Sequence, residues 1–317
     1  MNRREFLTST ACACLATATA KVDPLFAEDA PAAAPAIPKR LYRCGTPPPT
    51  PAARIQATRV ITALRSHRMN FRGKTVVPIR FHVIHDGQQG LLPDRQLKAQ
   101  VAMLNTIYAP TGVEFKTIEV DLHENAAWFR HEYGTDQETE MKTALGKDPS
   151  GCLNIYTCEP GGGLLGYATF PWWLKDTPAL DGVVLHHASF PNSPRPWVQQ
   201  PWPFDLGMTA VHEIGHWCGL YHTFQGGCDA PGDDLEDTPF EMGPAAGCPI
   251  DQPSACPGES RFDPVENYMD YSDDACMKHF TPQQLQRIRD MVGYYRFELN
   301  PQTSRSSLLE QVRKSLE

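Results

Sequence analysis

His212, Glu213 and His216 stand in the order His-Glu-x-x-His, and Gly219 and His222 follow within the same eleven-residue run. On a helix, residues four apart project from one face, so His212 and His216 offer two imidazoles to one point. Val211, Ile214 and Cys218 fall roughly on the opposite face, where core packing would hold those imidazoles still. Gly219 stands where the helix should stop, because glycine tolerates the positive φ of a helix C-cap. The chain would then bend and deliver His222 as a third nitrogen. Three imidazoles leave the fourth corner of a tetrahedral zinc for water, which is the arrangement of a catalytic site. Zinc lowers the pKa of bound water from about 16 to about 7, and Glu213, beside the first ligand, is placed to take the proton. The same carboxyl would return it to a leaving amine. Incidental surface histidines would leave Gly219 and His222 unexplained. His82, His85, His123, His186 and His187 read the other way, as packing or surface residues of strands and turns.

The elements that must position this run are legible in outline. A helix is expected from about Asp205 to Gly219. Thr75 to His85 alternates, with Val77, Ile79, Phe81 and Val83 on one side, which predicts a strand. Asp94 can cap a helix carrying Leu97, Val101, Leu104 and Tyr108, ended by Pro110 and Gly112. Val113 to Val120, Leu153 to Thr157, Tyr167 to Phe170 and Val183 to His187 read as further strands. Gly161-Gly162-Gly163 has no phosphate-loop lysine after it and reads as a turn. A helix from about Ala52 to Arg68 precedes the first strand. Thr281-Pro282 opens another, through about Phe297, and the mixed-charge tail from Gln302 to Glu317 reads as helical with no assigned role. Strands and helices therefore fill the first part, and loops dominate after His222. No internal repeat is visible.

The ends and the cysteines bound the setting. Arg3-Arg4 before a small-residue apolar stretch, closing on Ala18-Thr19-Ala20, looks like a twin-arginine export signal. Residues 21 to 53 are rich in Ala and Pro, the composition of a linker or pro-segment. A net charge of -8 across 317 residues, with no basic stripe, disfavours nucleic acid as a partner. No apolar run is long enough to span a bilayer as a mature helix. Past Cys12 and Cys14 of the signal, Cys228, Cys248, Cys256 and Cys276 cluster among Pro, Gly and Asp. In an exported chain they read as a disulfide framework with its pairing open.

The zinc-type run resembles the signature of metzincin proteases. Asn267-Tyr268-Met269-Asp270-Tyr271, continuing to Cys276, is similar to the Met-turn of the pappalysin family, which includes ulilysin-like enzymes. Phe81-His82-Val83-Ile84, Gly166-Tyr167-Ala168 and Asp237-Thr238-Pro239 extend the likeness from about Thr75 to Phe297. The resemblance implies an α+β fold: a metzincin-like catalytic domain with a mixed twisted sheet, backing and active-site helices, then an irregular disulfide-stapled C-terminal subdomain. It places Met269 beneath the zinc as a soft apolar base. It makes Tyr271 the donor to a developing oxyanion, and Asp274 the floor of a pocket beyond the scissile bond that favours Arg. It selects Cys228–Cys256 and Cys248–Cys276 as disulfides and leaves Cys152, Cys158 and Cys218 as thiols. Asp229, Asp233, Asp234, Glu236 and Asp237 become candidate calcium ligands, although their spacing is not an EF-hand. Arg43-Cys44-Gly45-Thr46 resembles a cysteine switch, in which the Cys44 thiolate takes the water's place on zinc.

These readings divide the chain into an export signal (1–20), a pro-segment with the switch (21–72), an N-terminal catalytic subdomain (73–222), a C-terminal subdomain with the Met-turn (223–298) and a tail (299–317). The expected function is a secreted or periplasmic zinc endopeptidase, acting on protein or peptide substrates, made latent and released by cleavage after an arginine between Arg59 and Arg72. The alternatives are a non-catalytic zinc-binding protein and a hydrolase of non-peptide amides. The intact Glu213 speaks against the first and the Met-turn against the second.

Overall fold

Apolar alternation in the first strand builds the sheet on which everything else rests. The computed structural model describes residues 41–69, 71, 73–192, 202–299 and 307–316. The expected export signal and the chain up to residue 40 lie outside the described residues. Five strands, β1 (Thr75–His85), β2 (Val113–Glu124), β3 (Leu153–Cys158), β4 (Gly166–Ala168) and β5 (Val183–His186), form one sheet in the order β2-β1-β3-β5-β4. β1 runs parallel to β2 and β3, and β3 runs parallel to β5. β4 is antiparallel to β5.

Val77, Ile79, Phe81 and Val83 are buried on one face against Leu104 and Tyr108 of helix α2 (Asp94–Tyr108). Ile84, Tyr156 and Val184 point to the other face, where Phe129, Met141 and Leu145 cover them. That second layer belongs to α3 (Ala126–Phe129) and α4 (Asp136–Leu145), which the sequence pattern did not show. Both have side-chain caps, Asn125 and Thr135, but α3 is a single turn and α4 buries an ion pair, Glu138–Lys142, where apolar residues were sought.

Most other ends shift by only one or two residues, but three expected boundaries move for a physical reason. β2 continues to Glu124 rather than Val120, because its ladder with β1 runs on to the His85–Glu124 pair. β4 spans Gly166–Ala168 rather than Tyr167–Phe170, since a 3-10 turn opens at Pro171. The helix bearing the first two histidines, α5, is Met208–Trp217 rather than Asp205–Gly219. Gly207 has φ 87°, which turns the backbone N–H groups of Leu206 and Met208 onto Asp274 instead of into a helix.

After α5 the chain is loop as far as α6 (Pro282–Tyr295), apart from a 3-10 turn at Asp274–Cys276. Cys228–Cys256 and Cys248–Cys276 are disulfides, and Cys44, Cys152, Cys158 and Cys218 are buried thiols. α6 opens with a Thr281–Gln284 capping box, and Gln284 pairs with Asn267, whose Oδ1 also accepts from Met269 N. The start of α6 thereby fixes the turn carrying Met269. Two further helices flank α6. α1 (Pro51–Ser66) packs Val60 and Leu64 against Phe71 and against Leu309 and Val312 of α7 (Ser307–Lys314). Among the described residues no helix is long and apolar enough to cross a membrane.

Candidate active site

α5 is buried along its whole length, and its ends are tied before any ligand is considered. Tyr108 donates to Val211 O at 2.7 Å, and Trp217 donates through Nε1 to Asp181 at 3.1 Å. A Cβ built on Gly215 would lie 2.5 Å from Met269 Sδ, so the Met-turn packs directly under the helix. Gly219, at φ 94°, ends the helix and turns the chain toward His222, as its position predicted.

His212 Nε2 lies 3.2 Å from His216 Nε2, which lies 3.0 Å from His222 Nε2. Nitrogens on a tetrahedral zinc with bonds near 2.05 Å stand roughly 3.3 Å apart, so the spacing fits. Two of the other ring nitrogens are engaged: Nδ1 of His212 donates to Tyr268 O and Nδ1 of His216 to Leu220 O, each at 2.8 Å. These bonds leave the Nε2 lone pairs facing one another, an arrangement that calls for a cation. Burial favours neutral rings. It pushes His212 and His222 well below the ordinary imidazole value and holds His216 at about 4.

Cys44 Sγ completes the group, with one donor atom from each of Cys44, His212, His216 and His222 inside a 4.8 Å span. The thiol donates to Glu213 Oε2 at 3.3 Å, and Thr46 Oγ1 donates to the same oxygen at 3.1 Å. Burial raises the Cys44 thiol well above its usual value, with the Glu213 charge adding to the effect. Burial also lifts the Glu213 carboxyl to about 8, against the bonds from Cys44 and Thr46 and the nearby Arg43. Glu213 Oε1 has no partner. Tyr271 Oη donates to Cys44 O at 3.2 Å and lies 3.3 Å from His222 Nε2.

Segment 42–46 reaches this site as an added strand. Tyr42 N donates to Gly163 O and Leu165 N to Tyr42 O, both at 2.9 Å, and Gly45 N donates to Gly166 O at 2.8 Å. β4 is an edge strand of the sheet, and this segment covers its open side. Arg43 then enters a closed pocket. Its Nη2 is 2.7 Å from Asp274 Oδ1 and from Ser272 O, its guanidinium lies 4.8 Å from the Phe204 ring centre, and both charged side chains are buried. Asp274 Oδ2 accepts from Leu206 N at 2.9 Å and Met208 N at 3.3 Å. Burial still raises the Asp274 carboxyl, against Arg43 and those amides.

The sequence pointed to Cys44 but not to the work of its neighbours. Arg43 and Thr46 were legible only as parts of a resembling segment, because their partners lie more than a hundred residues away. The five acidic residues marked for calcium behave differently from one another. Asp237 caps α6 by accepting from Thr281 Oγ1 and Gln283 N, each at 2.8 Å, and Asp234 pairs with Arg54. Asp229 and Glu236 are exposed. Asp233 is buried with Oδ2 unpartnered, beside an unpartnered Thr238 Oγ1, and burial raises its carboxyl to about 7. Sequence reasoning passed over Glu241 and Asp270, which are buried with an unpartnered oxygen each and are pushed upward by that burial.

Comparison with known proteins agrees with this geometry. A family model described as pregnancy-associated plasma protein-A matches residues 199–293. An extracellular metalloprotease of Pyricularia oryzae is 38% identical over 265 residues, covering 80% of this chain and 90% of that protein. Extracellular metalloprotease 1 of Coccidioides posadasii is 37% identical over 273 residues, covering 84% and 93%. Among solved structures, mature mirolysin of Tannerella forsythia, in complex with a cleaved peptide, superposes with a TM-score of 0.64 at 26% identity, covering 74% of this chain and 98% of that one. A promirolysin mutant from the same organism gives 0.69 at 25% identity, covering 84% and 98%. Identity of this extent across nearly the whole of the relatives, together with the histidine cluster, places the chain in the pappalysin family of metzincins, as a zinc metalloendopeptidase.

Proposed function

We propose that the chain is the latent precursor of an exported endopeptidase in which His212, His216 and His222 hold zinc, Glu213 moves the proton and Cys44 keeps the site closed. The observation that carries this is the convergence of three Nε2 atoms and one thiol within 4.8 Å, against a carboxylate bonded only by the covering segment. Zinc held there would supply Lewis acidity, lowering the pKa of a bound water toward about 7. Among the described residues Cys44 and Thr46 are the only partners of Glu213 Oε2, so departure of their segment would free the carboxylate to shuttle a proton from water to the leaving amine. Tyr271 donates to Cys44 O in this state, and the same hydroxyl suits a substrate carbonyl as negative charge develops on it. Met269, under Gly215, backs the ligands with apolar contact. A substrate would lie along the open side of β4, now covered by residues 42–46.

Latency is supported by the promirolysin structure covering more of this chain than the mature one does. Residues up to about 72 act as the pro-segment, residues 73–222 and 223–298 as the two catalytic subdomains, and residues 299–317 as a tail. Preference for Arg is supported by Arg43, which stands in the Asp274 pocket as a substrate arginine would. Secretion is supported by relatives named extracellular metalloproteases. The Arg3-Arg4 leader assigns the twin-arginine route. Calcium in the loop half is supported only by single buried oxygens, of Asp233 and of the neighbouring Glu241 and Asp270, since no three acidic groups converge there among the described residues.

The test is a map of cleavage sites in a peptide library, made with the matured enzyme, its Glu213→Gln variant and a chelator-treated sample. Cleavage beside Arg is expected. The variant should keep its zinc and lose at least about 10²-fold in rate. A Glu213→Gln enzyme that cleaves normally would overturn the mechanism, and cleavage without regard to Arg would remove Asp274 from specificity.

A further inference from the structure

β1 and β2 bring together three side chains that stand far apart or unremarked in the sequence. His82 pairs in register with Asp121, and Ile84 with His123, so His82, Asp121 and His123 rise from one face of the sheet. One donor atom from each lies within 4.8 Å of the others. His82 is fully buried and stacks on Tyr156 with ring centroids 5.0 Å apart.

The hydrogen bonds around His82 fix which nitrogen carries its proton. Asn154 Nδ2 donates to Lys147 O at 3.0 Å, and Asn154 Oδ1 accepts from Lys147 N at 3.2 Å. Oδ1 is therefore the amide atom that faces His82 Nε2, at 3.0 Å, and Nε2 must be the donor. Nδ1 is left with a lone pair, has no hydrogen-bond partner among the described residues, and stands 3.6 Å from Asp121 Oδ2. His123 Nε2 is also buried without a partner. Two buried ring nitrogens thus lack partners beside a carboxylate whose Oδ2 meets the Lys147 ammonium, and a cation between the three would remove the cost of those unmet nitrogens. A proton on Nδ1 would not close the gap, because 3.6 Å exceeds hydrogen-bonding distance. Burial also disfavours the imidazolium form of His82.

We propose that His82, Asp121 and His123 form a second metal site, for a divalent transition ion of the zinc class. Two imidazoles and a carboxylate suit zinc, nickel or copper(II) rather than magnesium or calcium. Asp121 and His123 are half-buried, so water can complete the coordination from the open side. Asn154 plays the orienting part that metal-bound histidines usually require. The charged groups around the site are Lys147 and Glu119: Lys147 Nζ lies 3.1 Å from Asp121 Oδ2 and 2.8 Å from Glu119 Oε1, while Arg80 also pairs with Glu119. An ion would displace Lys147 from Asp121 and leave it on Glu119. The site's role is structural, since it ties the edge strand β2 to β1.

The test is zinc content. Wild-type protein, His123→Ala and Asp121→Asn are stripped with chelator, re-equilibrated with micromolar zinc, desalted and analysed for bound metal. The variants should carry about one zinc per chain fewer than the wild type, with peptidase activity unchanged. The readout is the difference between proteins, so it stands whatever the His212 cluster holds. Zinc should also raise the wild-type melting temperature more than that of Asp121→Asn, whose side chain is isosteric. Equal zinc content in wild type and both variants overturns the proposal, as does an equal melting shift.

Discussion

Cys44 is held at the site from both sides of its own peptide: Arg43 locks into the Asp274 pocket, and Thr46 bonds both Glu213 and Ala168 N. In the proposed latent form the thiol supplies the closure and its neighbours supply the aim. Cys44→Ala precursor should therefore show peptidase activity before any processing, raised at least about tenfold, which corresponds to about 1.4 kcal/mol. Intact precursor as silent as the wild type would transfer latency to Arg43 and Thr46. Asp233 carries a different consequence. Folding raises its carboxyl from 3.8 to about 7, so the folded state holds the proton more tightly than the unfolded chain. Without a cation, stability contributed by the protonated form is lost as pH rises through about 7. A calcium ion bound by the ionised form, as proposed, would remove that cost. The gap in melting temperature between calcium and chelator should widen between about pH 5 and pH 8; a constant gap would exclude Asp233 as a ligand. At this scale the sequence showed the zinc-type run almost completely, because a helix and one glycine fix its geometry locally. It did not show His82, Asp121 and His123 as a group. Their alignment depends on the register of two strands and on the bulge at Ile79/Arg80, which shifts the parity of β2.

Between elements, the end of α5 is secured by one buried carboxylate. Asp181, ahead of β5, accepts from Arg296 at 2.7 and 2.8 Å, from Trp217 Nε1 at 3.1 Å and from Thr169 Oγ1 at 2.9 Å. Arg296 follows α6, and its guanidinium also lies 4.1 Å from the centre of the Trp217 ring. Asp181→Asn leaves that guanidinium buried without its counter-charge, which should cost about 3–5 kcal/mol in denaturant unfolding. A loss below about 1 kcal/mol would show that the three elements hold together without the pair. Most elements were legible because their apolar residues repeat at one period. α4 was not, since Glu138 and Lys142 occupy buried positions as an ion pair and interrupt the pattern. The start of α5 was misread for a related reason. The amides of Leu206 and Met208 serve Asp274, a partner no local rule reveals.

Across the whole molecule, the proposed pro-segment is bound at two places. Residues 42–46 lie on the sheet edge, and α1 lies against α6 and α7. The tail had no legible role, because its apolar residues gain meaning only when α1 is beside them. Truncation after residue 306 should loosen α1 and speed conversion of the precursor, followed as the appearance of new N-termini after an arginine between Arg59 and Arg72. An unchanged half-life would show that α1 is held by α6 alone.

The shared cluster of Val60, Leu64, Phe71, Leu309 and Val312 has one further outcome. On the proposed maturation, loss of α1 would strip Leu309 and Val312 of Val60 and Leu64, leaving them the half-buried Tyr294, Tyr295 and Leu316 for company. Maturation at the front of the polypeptide would thereby unfasten its rear, and a ripened enzyme would carry a greasy, loosened hind end open to a second clip.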